Sequence, residues 1–271
     1  VISLSLTNFY KSESIVTLRN NSQNQGMFSQ FSNAASLIGV NLQSSSDEKA
    51  VTAIELIKSR YFVKHLISFD NVLPSIMAAK SYDVGTRKLN YDPEIYDSES
   101  GVWLREPKNG NTKPSYLEVY EEYHENLMTI SQNNQTGFIS INIEHISPIF
   151  AKEFLELIIR ETNFLLKRKD MELSSEALKY LKSELSKTSL VEIRESIHTL
   201  IEAQLETQMM TKINEDYVLT EVEPPFIPER KSKPIRSIIV ILSTIFGSIM
   251  GIIIILLRYY FFKKSQTDNI N

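Results

Sequence analysis

The chain has 271 residues, 42% of them hydrophobic and 23% charged, with a formal net charge of −4 and no cysteine. The lack of cysteine excludes disulfide staples, thiolate catalysis and cysteine-ligated metals. The mildly acidic balance excludes the dense basic patch of a general nucleic-acid binder. Outside its one long apolar run the chain keeps about 230 residues, enough for one large or two small domains with a real core.

Residue 1 is valine and no signal-peptide pattern opens the chain, so it is expected to be part of a longer translation product. Val1 to Leu6, VISLSL, reads either as a strand or as the trailing edge of a preceding membrane span. Phe9 to Leu18 is rich in β-favouring residues and predicts a strand. Asn20 to Gln25 is a polar loop, and Phe28, Phe31, Ala35 and Ile38 fit one face of a helix over Met27–Ile38 that Gly39 ends. Ser44 to Ser46 make a polar break. After Asp47 the residues Val51, Ile54, Ile57 and Tyr61 form a helical stripe, with interrupted helix to about Ala79. Ser81 to Pro114, rich in Asp, Asn, Gly, Tyr and Pro, predicts loop with one short element.

Ser115 opens a helix to about Ser131, with Glu118 completing a capping box and Val119, Tyr123, Leu127 and Ile130 as its stripe. The turn Asn133 to Gly137 leads into a half-buried strand, in which Ile139, Ile141 and Ile143 alternate with Ser140, Asn142 and Glu144. Ser147 and Pro148 then give an N-cap and a proline at the first helical position. No glycine or proline occurs from there until after Thr211, and apolar residues recur at Phe150, Phe154, Leu157, Phe164, Leu178, Leu181 and Leu185. Lys187 to Ser189 is the candidate break, with Ser189 and Glu192 as a second capping box. The stripe resumes at Leu190, Ile193, Ile197, Ile201 and Leu205. So long a run predicts a helix that projects beyond a base and needs partners along its length. Tyr217 to Val222 predicts a returning strand, and Pro224, Pro225, Pro228 and Pro234 a stiff lead-in to the apolar run.

The apolar run itself is Ile238 to Leu257, twenty residues without charge or proline. As a helix they reach roughly 30 Å, the thickness of a bilayer's hydrocarbon core. Only a helix satisfies such a backbone in lipid, so the run predicts a membrane span with a short tail beyond it. Within it Gly247 and Gly251 form G-x-x-x-G, small residues one turn apart that let two helices approach closely. Basic residues flank the run on both sides (Arg230, Lys231, Lys233 and Arg236 before it; Arg258, Lys263 and Lys264 after it), which leaves its orientation undecided on charge.

Catalytic patterns are missing from the sequence. It has no P-loop and no G-x-S-x-G elbow. His124-Glu125-Asn126-Leu127-Met128 has methionine where a zinc-protease helix needs its second histidine. His65, His124, His145 and His198 lie far apart and read as surface or satisfied side chains, and Glu121-Glu122 as a solvated helix face. The triplets at Asn20 and Asn134 match glycosylation sequons, a pattern common by chance. No enzyme activity, metal or cofactor is expected.

Several segments taken in order resemble the Wzz-type polysaccharide co-polymerases, the O-antigen chain-length determinants. They are Asn8 to Glu13 (NFYKSE), Lys49 to Phe62 (KAVTAIELIKSRYF), Thr136 to Pro148 (TGFISINIEHISP), and Tyr180 to Met210 together with Asp216-Tyr217. The proline-rich lead-in and the closing span complete the match. Pro225, Pro228 and Pro234 keep the family's spacing, with Lys231 in place of the proline between. The resemblance implies an α+β base at the membrane with a long projecting helix. It divides the chain into a base over 1–146, an extended helical region over 147–211, a returning strand over 212–223, a lead-in over 224–237, a span over 238–257 and a cytoplasmic tail over 258–271. A first span would precede residue 1, both termini would be cytoplasmic, and the large domain would lie in the periplasm at the bacterial inner membrane. The short tail is expected to leave no room for the tyrosine-kinase domain fused to some relatives. The expected partners are further copies in a homo-oligomer, a Wzy-type polymerase, lipid-linked polysaccharide and membrane lipid, with no nucleic acid. Chain-length control of O-antigen is the leading function. Capsule or exopolysaccharide co-polymerisation is the alternative, and a membrane-tethered glycan hydrolase or transferase the reading from another class.

Overall fold

A computed structural model of the chain describes residues 7–18, 46–107, 110–133, 135–213, 216–235, 238, 241 and 243–255. The expected helix over Met27–Ile38, its flanking polar loops, the segment before Thr7 and the tail lie outside the described residues.

An antiparallel sheet forms the base. Its strands are β1 (Phe9–Leu18), β6 (Met128–Gln132), β7 (Ile139–His145) and β8 (Leu219–Glu223), in the order β6-β7-β1-β8, and β9 (Lys231–Lys233) also pairs with β1. The alternation in β7 fixes its register. Ile139, Ile141 and Ile143 are at most 1% exposed and stand opposite Val16, Ser14 and Ser12 of β1. Each such isoleucine contributes about 2 kcal/mol by burial. The prolines explain why two serines share this buried row. Residues 224–230 run beside β1 without a ladder, since proline has no N–H to give. The hydroxyls of Ser12 and Ser14 donate instead to the carbonyls of Phe226 and Glu223, each at 2.7 Å.

Three short helices come next: α1 (Ser46–Lys58), α2 (Arg60–Leu66) and α3 (Val72–Met77). The face they bury differs from the expected stripe. Ala50, Ala53 and Ile57 are buried, whereas Val51 and Tyr61 are 56% and 58% exposed. For Tyr61 the reason is Ser59: its hydroxyl accepts from the Phe62 N–H at 3.1 Å, starts α2 and resets the helical phase after Lys58. The region expected as loop holds two hairpins, β2 (Ala79–Asp83) with β3 (Lys88–Tyr91) and β4 (Tyr96–Asp97) with β5 (Val102–Trp103). Trp103 closes the second onto Tyr96, with ring centroids 4.8 Å apart.

The Ser115–Glu118 capping box is present in both directions and opens α4 (Tyr116–Glu122). The helix expected to reach Ser131 stops early, becomes a π-helical turn over Tyr123–Leu127, and gives way to β6. Tertiary pairing wins here: Met128 to Gln132 supplies the partner that the edge of β7 needs, and Gly137, at φ +74°, makes the turn between them.

The long helix α5 (Pro148–Lys187) begins where the sequence predicts, with the Ser147 hydroxyl accepting from the Phe150 N–H at 3.2 Å. Its 40 residues reach about 60 Å. The first half lies across the sheet and buries Ala151, Phe154, Leu155, Ile158, Thr162 and Leu165. The second half leaves the base. At Thr188 to Leu190 the chain turns back into α6 (Val191–Ile213), which packs antiparallel on α5. Ser174 Oγ donates to the Gln204 carbonyl at 3.1 Å, and Gln208 Nε2 to Ser175 Oγ at 3.0 Å. The projection is therefore a helical hairpin rather than one unaccompanied helix. Its second helix starts at Val191 with the Arg194 N–H on the Leu190 carbonyl.

Candidate assembly and membrane-proximal surfaces

The start of β1 and the segment leading into the apolar run meet at one corner of the base. Phe9 pairs with Lys233 and Tyr10 with Lys231, so the start of β1 and the lead-in to the apolar run leave the sheet side by side. Glu144 of β7 fastens that corner. Its carboxylate accepts from the Ser232 hydroxyl and pairs with Lys233 Nζ at 2.6 Å, and Ser232 Oγ also reaches the Phe9 carbonyl at 3.2 Å. Three residues after Glu144, Ser147 caps α5, so one short segment ties the lead-in to the root of the long helix.

The residues singled out in the sequence fall into two separate groups. Pro225 and Pro228 are buried along β1, and Pro234, half-buried, comes directly after β9. Gly247 and Gly251 lie further on, within described helical residues 243–255, and among the described residues nothing lies within 4 Å of where a Cβ on either would sit. Among the described residues no helix is long and apolar enough to cross a membrane. Described positions of the run carry exposed apolar side chains, including Phe246 at 68% and Ile255 at 68%.

The helical hairpin leaves much apolar surface open. Leu173, Tyr180, Leu190, Val191, Ile193, Leu205, Met209 and Ile213 are each between 43% and 71% exposed. Of the expected stripe, only Leu178 and Ile197 are buried in this part of the hairpin. Surface of this kind marks an interaction site.

The flanks of α5 differ in chemistry. On the β6 side α2 packs against α4 and α5, with His65 Nε2 2.8 Å from the Glu161 carboxylate. Arg60 lies over the Tyr120 ring at 5.5 Å and Lys64 over the Tyr116 ring at 5.6 Å. Among the described residues neither cation forms an ion pair. Sequence reasoning missed this ridge, although its signal is present: Arg60 and Lys64 on one helix and Tyr116 and Tyr120 on another share i,i+4 spacing.

On the β8 side α5 carries Asn163, 5% exposed, which fastens the returning strand. Its Oδ1 accepts from the N–H groups of Val218 and Leu219 at 2.9 and 2.8 Å, and its Nδ2 donates to the Leu219 carbonyl at 2.8 Å. Beside it opens a groove of about 410 Å³ between α5 and β8, lined by Phe164, the carboxylates of Glu156, Asp216 and Glu221, and the cations of Arg160 and Lys167. Phe164, expected on the apolar stripe, is 49% exposed here. Burial raises the Glu221 carboxyl above its ordinary range, helped by the negative charges of Asp216 and Glu156 and opposed by Lys152.

The histidines are accounted for one by one. His124 Nε2 lies 2.9 Å from the Lys58 carbonyl, and His198 is exposed. His145 accepts from the Ser147 N–H through Nδ1 at 3.0 Å, which leaves Nε2 to donate to the Ser75 carbonyl at 2.8 Å. Burial pushes its pKa down to about 4. Among the described residues no group of histidines and carboxylates is placed to hold a metal ion. Arg105 clamps Glu118 with two hydrogen bonds, at 2.5 and 3.0 Å, and holds its carboxyl at about 2.

No family model matches the sequence, and no curated protein matches it. Among solved structures the chain is similar to a fragment of WzzB, a polysaccharide co-polymerase from Salmonella Typhimurium. The identity is 15%, over 83% of this chain and 100% of that one, with a TM-score of 0.35. It is also similar to a full-length bacterial polysaccharide co-polymerase, with 12% identity over 94% and 87% of the two chains and a TM-score of 0.35. Both are polysaccharide co-polymerases. This is the family that the sequence motifs resemble.

Proposed function

We propose that this chain is a membrane-anchored regulator of polysaccharide chain length that works as a homo-oligomer beside a Wzy-type O-antigen polymerase and is not itself an enzyme. The observation that carries the reading is the corner where β1 and β9 pair. It sets the chain's first strand beside the lead-in to the apolar run, as a domain strung between two inner-membrane spans requires. The helical hairpin that rises from the base with its apolar side chains uncovered supports assembly. The motifs resembling the family fall on the joints of this architecture: β1, the α1–α2 junction, β7 with the cap of α5, and the hairpin.

In this reading the mechanism is physical. The assembled copies form a scaffold that changes how long the polymerase holds the growing lipid-linked glycan. Deleting the gene in its host and resolving lipopolysaccharide on a silver-stained gel is expected to shift or broaden the modal O-antigen ladder. An unchanged ladder overturns the proposal, and a change confined to capsule or exopolysaccharide moves the protein to that polymer instead.

A further inference from the structure

The helical hairpin has two outer edges that fit one another. After Leu166, α5 buries only Ser174 and Leu178, and α6 buries only Ile197 and Thr211. These residues mark the inner face of each helix. At about 3.6 residues per turn, Leu173 and Tyr180 lie about 150° round α5 from Leu178. Val191, Glu202 and Met209 lie about 130° round α6 from Ile197. All five are exposed. One edge therefore faces away from α6 and the other away from α5, on opposite sides of the hairpin. We propose that a second copy of this chain lays the outer edge of its α6 along the outer edge of α5, so that neighbouring hairpins form one continuous wall of helices. The inference rests on the proposed homo-oligomer and names the contact through which its hairpins assemble.

Levels and charges both match. The hydrogen bonds of Ser174 to Gln204 and of Gln208 to Ser175 set the heights of the two helices against each other. They put Leu173 at the level of about residue 207 and Tyr180 at the level of about residue 200. A neighbour related by rotation about an axis along the hairpin keeps those levels. Leu173 of one copy then faces Met209 of the next, and Tyr180 faces Glu202. Tyrosine and methionine are residue types enriched at such contacts. Charge adds direction. Over residues 167–187 α5 carries six Lys and Arg against four Asp and Glu, whereas α6 carries two against four. On the outer edge of α5, Glu172 pairs with Arg168 at 3.9 Å, and Glu176 stands one turn before Lys179. Lys179 thus lies between two carboxylates, its own Glu176 and the neighbour's Glu202. Because the two edges differ and lie on opposite sides, the contact is head-to-tail. Repeated head-to-tail contacts make a ring when the rotation closes. The neighbour's α6 runs antiparallel to α5, as α6 does within the subunit, so the wall repeats one kind of helix packing.

The chain has no cysteine, so introduced ones report alone. Leu173→Cys and Met209→Cys are introduced together into the full-length chain, and membranes are treated with a short bismaleimide. Within one subunit the two positions stand on far sides of the hairpin, beyond the reach of the linker. The double variant is expected to give a ladder of dimers, trimers and larger species on a denaturing gel, and each single variant only monomer. In the double-cysteine background Lys179→Glu is expected to cut the cross-linked fraction about threefold, and addition of Glu202→Lys to restore it. Dimers from either single variant mean a two-fold contact and overturn the proposal, as does a cut that Glu202→Lys fails to restore. So does a lack of ladder in protein whose detergent-solubilised mass is oligomeric, an outcome that leaves the homo-oligomer standing. A monomeric mass overturns both.

Discussion

At position 145 an imidazole is held neutral by its surroundings. The Ser147 N–H occupies one ring nitrogen, the Ser75 carbonyl takes the proton on the other, and burial lowers the pKa from 6.5 to about 4. The unfolded chain therefore binds a proton first as pH falls. Stability is expected to drop between pH 6.5 and 4, by about 2 kcal/mol from pH 7 to pH 5. The Glu118 carboxylate, at about 2 when folded and 4.5 otherwise, acts in a lower window: its stabilisation is full above 4.5 and is lost as pH falls toward 2. At pH 5 the loss thus reports on His145. Urea unfolding of the solubilised protein at pH 7 and pH 5 should show it, and His145→Gln, which cannot charge, should flatten the difference. An equal difference in the variant would place the sensitivity elsewhere. The sequence marks His145 only as a histidine after a strand; its partner at Ser75 is seventy residues away in the chain. Asn163 is hidden for the same reason, since its three partners lie more than fifty residues later.

Elements whose signals are local were legible. β1 spans Phe9–Leu18 as its β-favouring residues predict, β7 obeys its strict alternation, and α4 and α5 open at their serine caps. Elements decided by a distant partner were not. Met128 to Gln132 reads as the end of a helix until β7 offers an edge, and the two small hairpins replace what composition describes as loop. In the helical hairpin the pattern fixed where apolar residues recur but not which of them α6 would cover. Gly247 and Gly251 belong to this scale too. Among the described residues nothing lies within 4 Å of the place of their Cβ atoms, so a larger side chain meets no obstacle there. If the apolar run packs against a second span, Gly251→Leu should block the approach and lower the oligomer mass in detergent measured by light scattering. An unchanged mass would mean that the domains outside lipid hold the complex alone.

For the whole molecule, the paired start and end of the base set a topology that can be read from outside the cell. A cysteine placed at exposed Glu99, in the turn between β4 and β5, is expected to react with a membrane-impermeant maleimide once the outer membrane is permeabilised. A cysteine at Ser265, in the tail, should react only after the inner membrane is opened. Labelling in the reverse order would put the base in the cytosol and contradict the proposed role. Flank charges could not decide this orientation, because basic residues stand on both sides of the run.

By itself the sequence determined the mixed class of the fold, the limits of its main strands and helix starts, and the apolar run, because each depends on propensity, periodicity and capping within a few residues. The tertiary structure alone decided that β1 pairs with the segment leading into the apolar run, that the long helix is matched by a returning one, and that Arg60 and Lys64 of α2 lie over tyrosines of α4. These depend on contacts between residues far apart in the chain, where pairing and burial override local preference.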